Sequence, residues 1–354
     1  MTLMIQDEDV RRVLTMSHCI DAMEGAFADV GSGAAVNVPR IRYRANSSDP
    51  EVIYGSNVHI GAVPRYNVTA VRIGGSSRLA EGAKGMFGTL VNPERSWGFI
   101  CLISLETGEL LAIFQELGIA DMRVGATSAM ATSYLGREDA TTMGLFGSGT
   151  HAAAHIEAMA VVRPLEQVKV FSPTREHRDR FAKEWAERLG IDVVAVEDPR
   201  EAVAGMDIVC CATNSGYLSP EPVFDGGWLE PGQLVISIQN SDVNFAKSET
   251  DEVTLERSSF ICINDLESLH SNKQVELLDP IERGVVGWDR VHELGQVVAG
   301  GVQVPRTHDD IIYYKNNSGM GVQMAAAGAV AYRLAKEQGL GHEIPTEWFG
   351  SLIG

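Results

Sequence analysis

The chain has 354 residues, 45% hydrophobic and 21% charged, with 36 Gly and 13 Pro, the make-up of a globular protein of about two domains. Its 29 Lys and Arg against 47 Asp and Glu leave a formal charge of −18, a field that repels phosphate polymers and anionic lipid and argues against nucleic acid or a membrane surface as partner. No apolar run approaches the roughly 18 residues of a spanning helix, and residues 1–9 are acidic where a signal peptide is basic, so a cytosolic protein is expected.

Residues 17–30 predict an amphipathic helix, with Ile20, Met23, Phe27 and Val30 on one side, Ser17 placed to cap it, and Gly31 and Gly33 placed to stop it. Strand-like runs follow at 41–44, 52–54, 68–73, 98–105 and 110–114, the last two joined as a hairpin by Glu106-Thr107-Gly108. From Ala140 strands and helices alternate: strands at 142–146, 168–171, 193–196, 208–212, 234–238 and 260–263, with helices between, the rhythm of a parallel sheet with crossovers. The Ala-rich helical stretch 319–338 stands too far from that sheet's last expected strand to extend it and is assigned back to the first domain. The expected fold class is thus α/β. A parallel α/β domain of Rossmann type spans 126–317, and an α+β domain with an antiparallel or mixed sheet comprises 1–125 together with 318–354.

The segment from Thr142 to Ala152 is a short apolar strand, then Gly147-Ser148-Gly149-Thr150-His151-Ala152, then a helical pattern: G-x-G-x-x-A in the setting that gives this short motif meaning. Gly147 permits the tight turn, Gly149 lets backbone approach a pyrophosphate, Ala152 allows close packing, and the helix N-terminus offers free N–H groups. The second strand ends at Ser172 rather than at the acidic residue that usually receives the ribose 2′-hydroxyl. Ser172, Thr174 and Arg175 instead present hydroxyls and a guanidinium, which suit a 2′-phosphate, so NADP is preferred over NAD. The alternative is that Arg175 simply opens the next helix beside Glu176. His151 and His155, one turn apart, lack further ligands, and no metal is expected. The five cysteines, Cys19, Cys101, Cys210, Cys211 and Cys262, have no C-x-x-C spacing and predict neither disulfides nor structural zinc.

Leu105-Glu-Thr-Gly-Glu-Leu-Leu-Ala and Ala120-Asp-Met-Arg123-Val-Gly-Ala-Thr-Ser-Ala resemble the ornithine cyclodeaminase and mu-crystallin family. The likeness extends through Gly144-Leu-Phe-Gly-Ser-Gly-Thr-His-Ala, Phe171-Ser-Pro-Thr-Arg-Glu, Cys211-Ala212-Thr213-Asn214-Ser215, Trp228-Leu-Glu-Pro-Gly, Lys247-Ser-Glu-Thr-Asp251 and Leu340-Gly-His-Glu-Ile-Pro, nearly the whole chain. It implies a homodimer whose first domain forms the dimer and lines the substrate pocket while the Rossmann domain supplies nicotinamide, with Ala212, Thr213 and Asn214 joining the cofactor site. Arg40 and Arg123 match two basic pocket positions of the family. At the third, relatives carry Lys, whereas this chain has Arg72, a fixed cation that can clamp a carboxylate but hardly carry a proton. The family's acid or base has its nearest counterpart in Asp242, with a loop-capping role as the alternative. Two more departures are Gln323 and its neighbours, where many relatives place an Asp, and the loss of the Met-Pro pair before the lysine strand.

Hydride transfer to a carbon–nitrogen double bond needs the substrate carboxylate held and a proton supplied to nitrogen. Arg40, Arg72 and Arg123 are the expected holders, and Arg72 and Asp242 the residues at the reacting centre. The reading is an NAD(P)H-dependent reductase of a cyclic or linear 2-carboxylate imine. Its alternatives are an ornithine or lysine cyclodeaminase that recycles NAD and a crystallin-type protein that binds NADPH and a small molecule without turnover.

Overall fold

In the computed structural model, residues 1–80, 89–214, 221–239 and 248–352 are described. The chain begins with β1 (Thr2–Ile5), α1 (Asp7–Val13) and α2 (Met16–Gly31). The cap of α2 is Thr15, whose hydroxyl accepts the His18 N–H at 3.2 Å, and not Ser17. Ser17 already lies in the first helical turn, and a cap must precede it to reach an N–H three residues on. Beyond the helix, Gly33 takes φ +74.

Four long strands and one shorter one follow: β2 (Val36–Asn46), β3 (Val52–Val63), β4 (Val68–Leu79), β5 (Trp97–Ser104) and β6 (Leu110–Gln115). β2, β3 and β4 run well past the apolar cores visible in the sequence, through Gly-Ser-Asn and Gly-Gly-Ser-Ser stretches that composition alone weighs against. Their ladder explains this, because Val52 to Val63 pairs without interruption to Leu79 back to Val68, and each polar residue inherits its partner's hydrogen bonds. β5 and β6 are antiparallel around a turn in which Gly108 takes φ +73.

α3 (Leu117–Leu135) carries the chain into a parallel sheet. Its elements are β7 (Thr142–Phe146), α4 (Thr150–Val162), β8 (Gln167–Phe171), α5 (Arg175–Leu189), β9 (Asp192–Ala195), β10 (Ile208–Cys211), β11 (Leu234–Ser237), α6 (Glu252–Arg257), β12 (Phe260–Ile263), α7 (Leu266–Ser271), α8 (Val275–Glu282), β13 (Val291–Glu293), α9 (Leu294–Val298) and β14 (Ile312–Lys315). The chain ends with α10 (Gly321–Glu337) and β15 (His342–Ile344). β14, rather than the 260–263 strand, is the last strand of the parallel sheet, and it inserts between β11 and β12. Its run Ile-Tyr-Tyr-Lys hides a fully buried lysine, which a hydropathy reading counts against a strand buried on both faces.

The chain divides into two units, Met1–Arg123 with Gly319–Gly354, and Val124–Ser318. In the first, the sheet order is β15-β1-β6-β5-β4-β3-β2, antiparallel except for the parallel β1–β6 pair. α2 and α10 pack together and α10 lies on β3 and β4, burying Met23, Phe27, Ile100, Leu102, Phe114 and Met324. In the second, the order is β13-β12-β14-β11-β10-β7-β8-β9, all parallel, over a core that includes Phe146, Val209, Val235, Ile261 and Tyr313. Strand order reverses at β7, with β8 and β9 on one side and β10 and β11 on the other, the doubly wound arrangement whose ligands bind beyond the carboxyl ends of the strands.

Candidate active site

In the second unit the turn after β7 is built by backbone. Gly147 takes φ +114, and its N–H donates to the Phe171 carbonyl at 2.8 Å, tying the ends of β7 and β8 together. A Cβ at Gly147 would collide with the Ala212 carbonyl, so a glycine is required by both conformation and space. Gly149 is the N-cap of α4 in extended conformation, with no side-chain cap, and a Cβ there would meet nothing within 4 Å. The helix therefore opens with uncapped N–H groups facing vacant space, which fits a dinucleotide's pyrophosphate.

Around this turn, Ser148 donates to Ser172 at 3.1 Å, linking the motif to the end of β8. Thr174 is the N-cap of α5 without a side-chain hydrogen bond. Arg175 is 75% exposed and makes only long contacts, 3.4 Å to Asp179 and 3.7 Å to Glu197. Arg178, which sequence reasoning did not single out, is buried and donates to the Ser172 carbonyl at 3.1 Å. Thr150 and His151 begin α4 on its exposed side, while His155 is fully enclosed. Its Nδ1 meets the His151 carbonyl at 2.7 Å and its Nε2 the Ser128 hydroxyl at 2.9 Å, so Nδ1 carries the proton and the hydroxyl donates. Burial lowers its pKa to about 4. Among the described residues no group of three or more His, Cys, Asp or Glu could hold a metal.

The ends of β10 and β11 are fastened by a residue that sequence reasoning passed over. Glu249 is wholly buried: one oxygen accepts the Thr213 N–H at 2.8 Å and its hydroxyl at 2.7 Å, the other the Ser237 hydroxyl and the Ile238 and Gln239 N–H groups at 2.9 to 3.0 Å. Lys315 donates to Ser237 at 3.0 Å and to the Gln239 carbonyl, and pairs with buried Glu276 at 3.4 Å. Burial alone would pull its pKa down, but Tyr313, Glu276 and Glu249 reverse this and hold it above the usual lysine value. Ala212 is buried beside this network and Asn214 is exposed. Asp242 and Ser215 lie outside the described residues.

In the first unit the side chains carry the site. His59 on β3 and Arg72 on β4 are directly paired, and Arg42 on β2 is opposite Asn57, two residues from His59 and so on the same face. Arg40 occupies the irregular step between Val38 and Ile41, where the β2–β3 register shifts, the kind of bulge that redirects a side chain. Arg72 Nε donates to Glu116 Oε2 at 2.6 Å, and Arg72 Nη1 lies 3.1 Å from His59 Nδ1. Ser96 donates to the other oxygen of Glu116 at 3.3 Å. Arg123 donates to Gln323 Oε1 at 2.9 Å, which also receives the Met320 N–H at 3.0 Å at the start of α10.

His59 reports how close these cations are. Burial, then Arg72, Arg40, Arg123 and Arg42 in that order, hold its pKa well below the ordinary histidine value. Arg72 touches this imidazole, Arg123 meets it beside Gly319, and Arg40 and Arg42 are near enough to act on its charge. His59 and Glu116 went unread in the sequence; the alternation that puts Asn57 and His59 on one face was the available signal. A cavity of about 540 Å³ adjoins Glu116, walled by Tyr54, Ile73, Trp97, Phe99 and Phe114.

The second unit's turn, at the reversal point of a parallel sheet, defines a dinucleotide-binding fold. The chain belongs to the Ornithine cyclodeaminase/mu-crystallin family, whose profile matches residues 1–339. It is 30% identical over 246 residues to a protein of Sinorhizobium fredii named as the uncharacterized cyclodeaminase y4tK, 69% of this chain and 72% of that one. Against a Delta(1)-pyrroline-2-carboxylate reductase of Bacillus cereus it is 29% identical over 248 residues, 70% of this chain and 74% of the relative. The solved Delta(1)-pyrroline-2-carboxylate reductase of Thermococcus litoralis, in complex with NADH and L-proline, superposes with a TM-score of 0.81 at 26% identity, covering 97% of this chain and 100% of that one.

Proposed function

We propose that this protein is an NAD(P)H-dependent oxidoreductase that reduces the C=N bond of a 2-imino carboxylate, cyclic as in a pyrroline or piperideine 2-carboxylate, or open-chain. The observation that carries the reading is the gathering of Arg40, Arg72 and Arg123 about His59 in a chain of net charge −18. Such a local reversal of sign captures an anion, and guanidinium groups orient a carboxylate through paired N–H bonds. The family and the pyrroline-2-carboxylate reductases among its relatives supply the imine.

When bound, the nicotinamide supplies a hydride to the imine carbon. The first unit's part is to hold the carboxylate, and the second unit's is to hold the dinucleotide through Gly147, Ser148, Gly149 and the uncapped start of α4. Arg72 contributes charge and orientation, since a guanidinium engaged by Glu116 at 2.6 Å does not release a proton. Asp242 is the proposed proton donor to nitrogen. A cyclodeaminase must move protons on and off an α-amine and a side-chain amine, and a fixed cation at position 72 favours simple reduction over that sequence.

The cofactor reading extends to NADP. Ser172 stands where an acidic residue would repel a 2′-phosphate, and the exposed Arg175 is held only by weak surface pairs that cost little to exchange. The apolar residues Val36, Ile41, Tyr43, Trp97 and Phe99, exposed on the first unit, support a homodimer formed through that unit.

The test is turnover. Purified protein is offered NADPH or NADH with Δ1-pyrroline-2-carboxylate, Δ1-piperideine-2-carboxylate or 2-oxo acids plus amines, and separately ornithine or lysine with NAD. Nicotinamide oxidation with an imine is expected. Ammonia release from ornithine or lysine instead would make it a cyclodeaminase, and NADPH binding without either reaction would make it a binding protein.

A further inference from the structure

His59 has no role in the scheme above, yet only 3% of it reaches solvent and it sits at the centre of the arginine face. Its ring is oriented by its neighbours. A guanidinium has only hydrogens to give, so the 3.1 Å contact with Arg72 Nη1 makes Nδ1 the accepting nitrogen and leaves the proton of the neutral ring on Nε2. Arg72 is itself fixed by Glu116, which Ser96 holds from the other side. Burial and the cations of β2, β4 and α3, namely Arg40, Arg42, Arg72 and Arg123, all oppose a second proton.

The Nε2 end has no hydrogen-bond partner among the described residues, and its surroundings are specific. A Cβ placed on Gly319 would come 2.7 Å from His59 Nε2 and 3.0 Å from Arg123 Nη2. One imidazole N–H and one guanidinium therefore lie side by side against the backbone of residue 319, where any side chain would collide with both. The imidazole N–H requires an acceptor, and the surrounding positive charge selects an anionic one over an amine.

We propose that His59 is a substrate-contacting residue: its Nε2–H donates to the substrate carboxylate beside Arg123, and Arg72 is the positioning residue that fixes the tautomer. This rests on the imino-carboxylate reading of the site and adds to it a neutral donor and the reason position 319 is glycine.

The experiment follows histidine nitrogens by NMR in the intact, ¹⁵N-histidine-labelled protein between pH 5 and 8, with and without L-proline as the carboxylate probe. His59 should remain the neutral Nε2–H tautomer throughout, and its Nε2 resonance should shift when L-proline is added. In steady state, His59→Phe should raise KM for Δ1-pyrroline-2-carboxylate by about tenfold to a hundredfold, the weight of a hydrogen bond to a charged group, with the Kd for NADPH unchanged. Arg72→Met should add to kcat/KM an acid limb, absent from the wild type, as the released imidazole takes up protons. An imidazolium or Nδ1–H form in the wild type, an Nε2 resonance unmoved by L-proline, or an unchanged KM in folded His59→Phe would overturn the assignment. A His59 shift with L-proline in a protein that reduces no imine would sink the reductase reading and leave this assignment standing.

Discussion

The two units build their candidate sites from different materials. The second uses backbone: a glycine at φ +114, an uncapped helix start, and loop ends gathered by one buried carboxylate, Glu249. The first uses side chains on a sheet face, where arginines from β2, β4 and α3 meet an imidazole from β3 and are steadied by Glu116 and Gln323. A backbone site depends on a local run of small residues, whereas a side-chain site depends on strand register and on residues far apart in sequence.

The largest effect is expected where backbone geometry leaves no alternative. Gly147→Val would force a β-branched residue to φ +114 and drive its Cβ into the Ala212 carbonyl. Titration by nicotinamide fluorescence should show affinity for NADH and NADPH falling by more than about a hundredfold, since strain of a few kcal/mol at this turn opposes the bound conformation. The L-proline shift at His59 should survive in the same variant. Joint loss of both would break the distinction between a backbone site and a side-chain site.

Next in size is Arg123→Met, which deletes a guanidinium from the face proposed to hold the carboxylate. A lost charge-assisted bond predicts a KM for the imine raised on the order of a hundredfold with the Kd for NADPH unaltered. Retention of wild-type KM would remove Arg123 from the pocket. A smaller effect is expected at the surface, where Arg175→Asp should weaken NADPH about tenfold more than NADH, because the change opposes only the 2′-phosphate. Equal losses for the two cofactors would return Arg175 to its plain role at the start of α5.

The same contrast decides what was legible in the sequence. The Rossmann class follows from Gly147, Gly149 and Ala152 lying between a strand and a helix, because the required geometry is local. The parallel order was readable as alternation, but β14 was not, because its lysine is satisfied by Ser237, Gln239 and Glu276, contributed by residues 39 or more positions away. Arg40, Arg72 and Arg123 were singled out through the family resemblance. His59 and Glu116 were not, because a lone histidine in a strand and an acid after one have no meaning until register sets them against Arg72. Thr15 escaped notice for a smaller reason, a helix whose cap lies two residues earlier than its apolar spacing implies.

The finest test concerns pH and contrasts the two buried histidines. Unfolded, an imidazole gains its proton near pH 6.5. Folded, burial chiefly pushes His155 down to about 4, against the opposing pull of the His151 carbonyl. The native state therefore binds fewer protons than the unfolded chain between those values, and stability rises with pH there. The contribution is complete above about 6.5 and is lost as pH falls towards 4, a loss of roughly 3 kcal/mol for a shift of this size. His59, depressed by burial and four arginines, adds a slope of the same sign in the first unit. Thermal melts at pH 7.5 and 4.5 should therefore show a smaller acid-induced drop in Tm for His155→Gln than for the wild type, with part of the drop remaining because His59 is untouched. An equal drop in both proteins would mean that His155 is not held neutral by its enclosure beside Ser128.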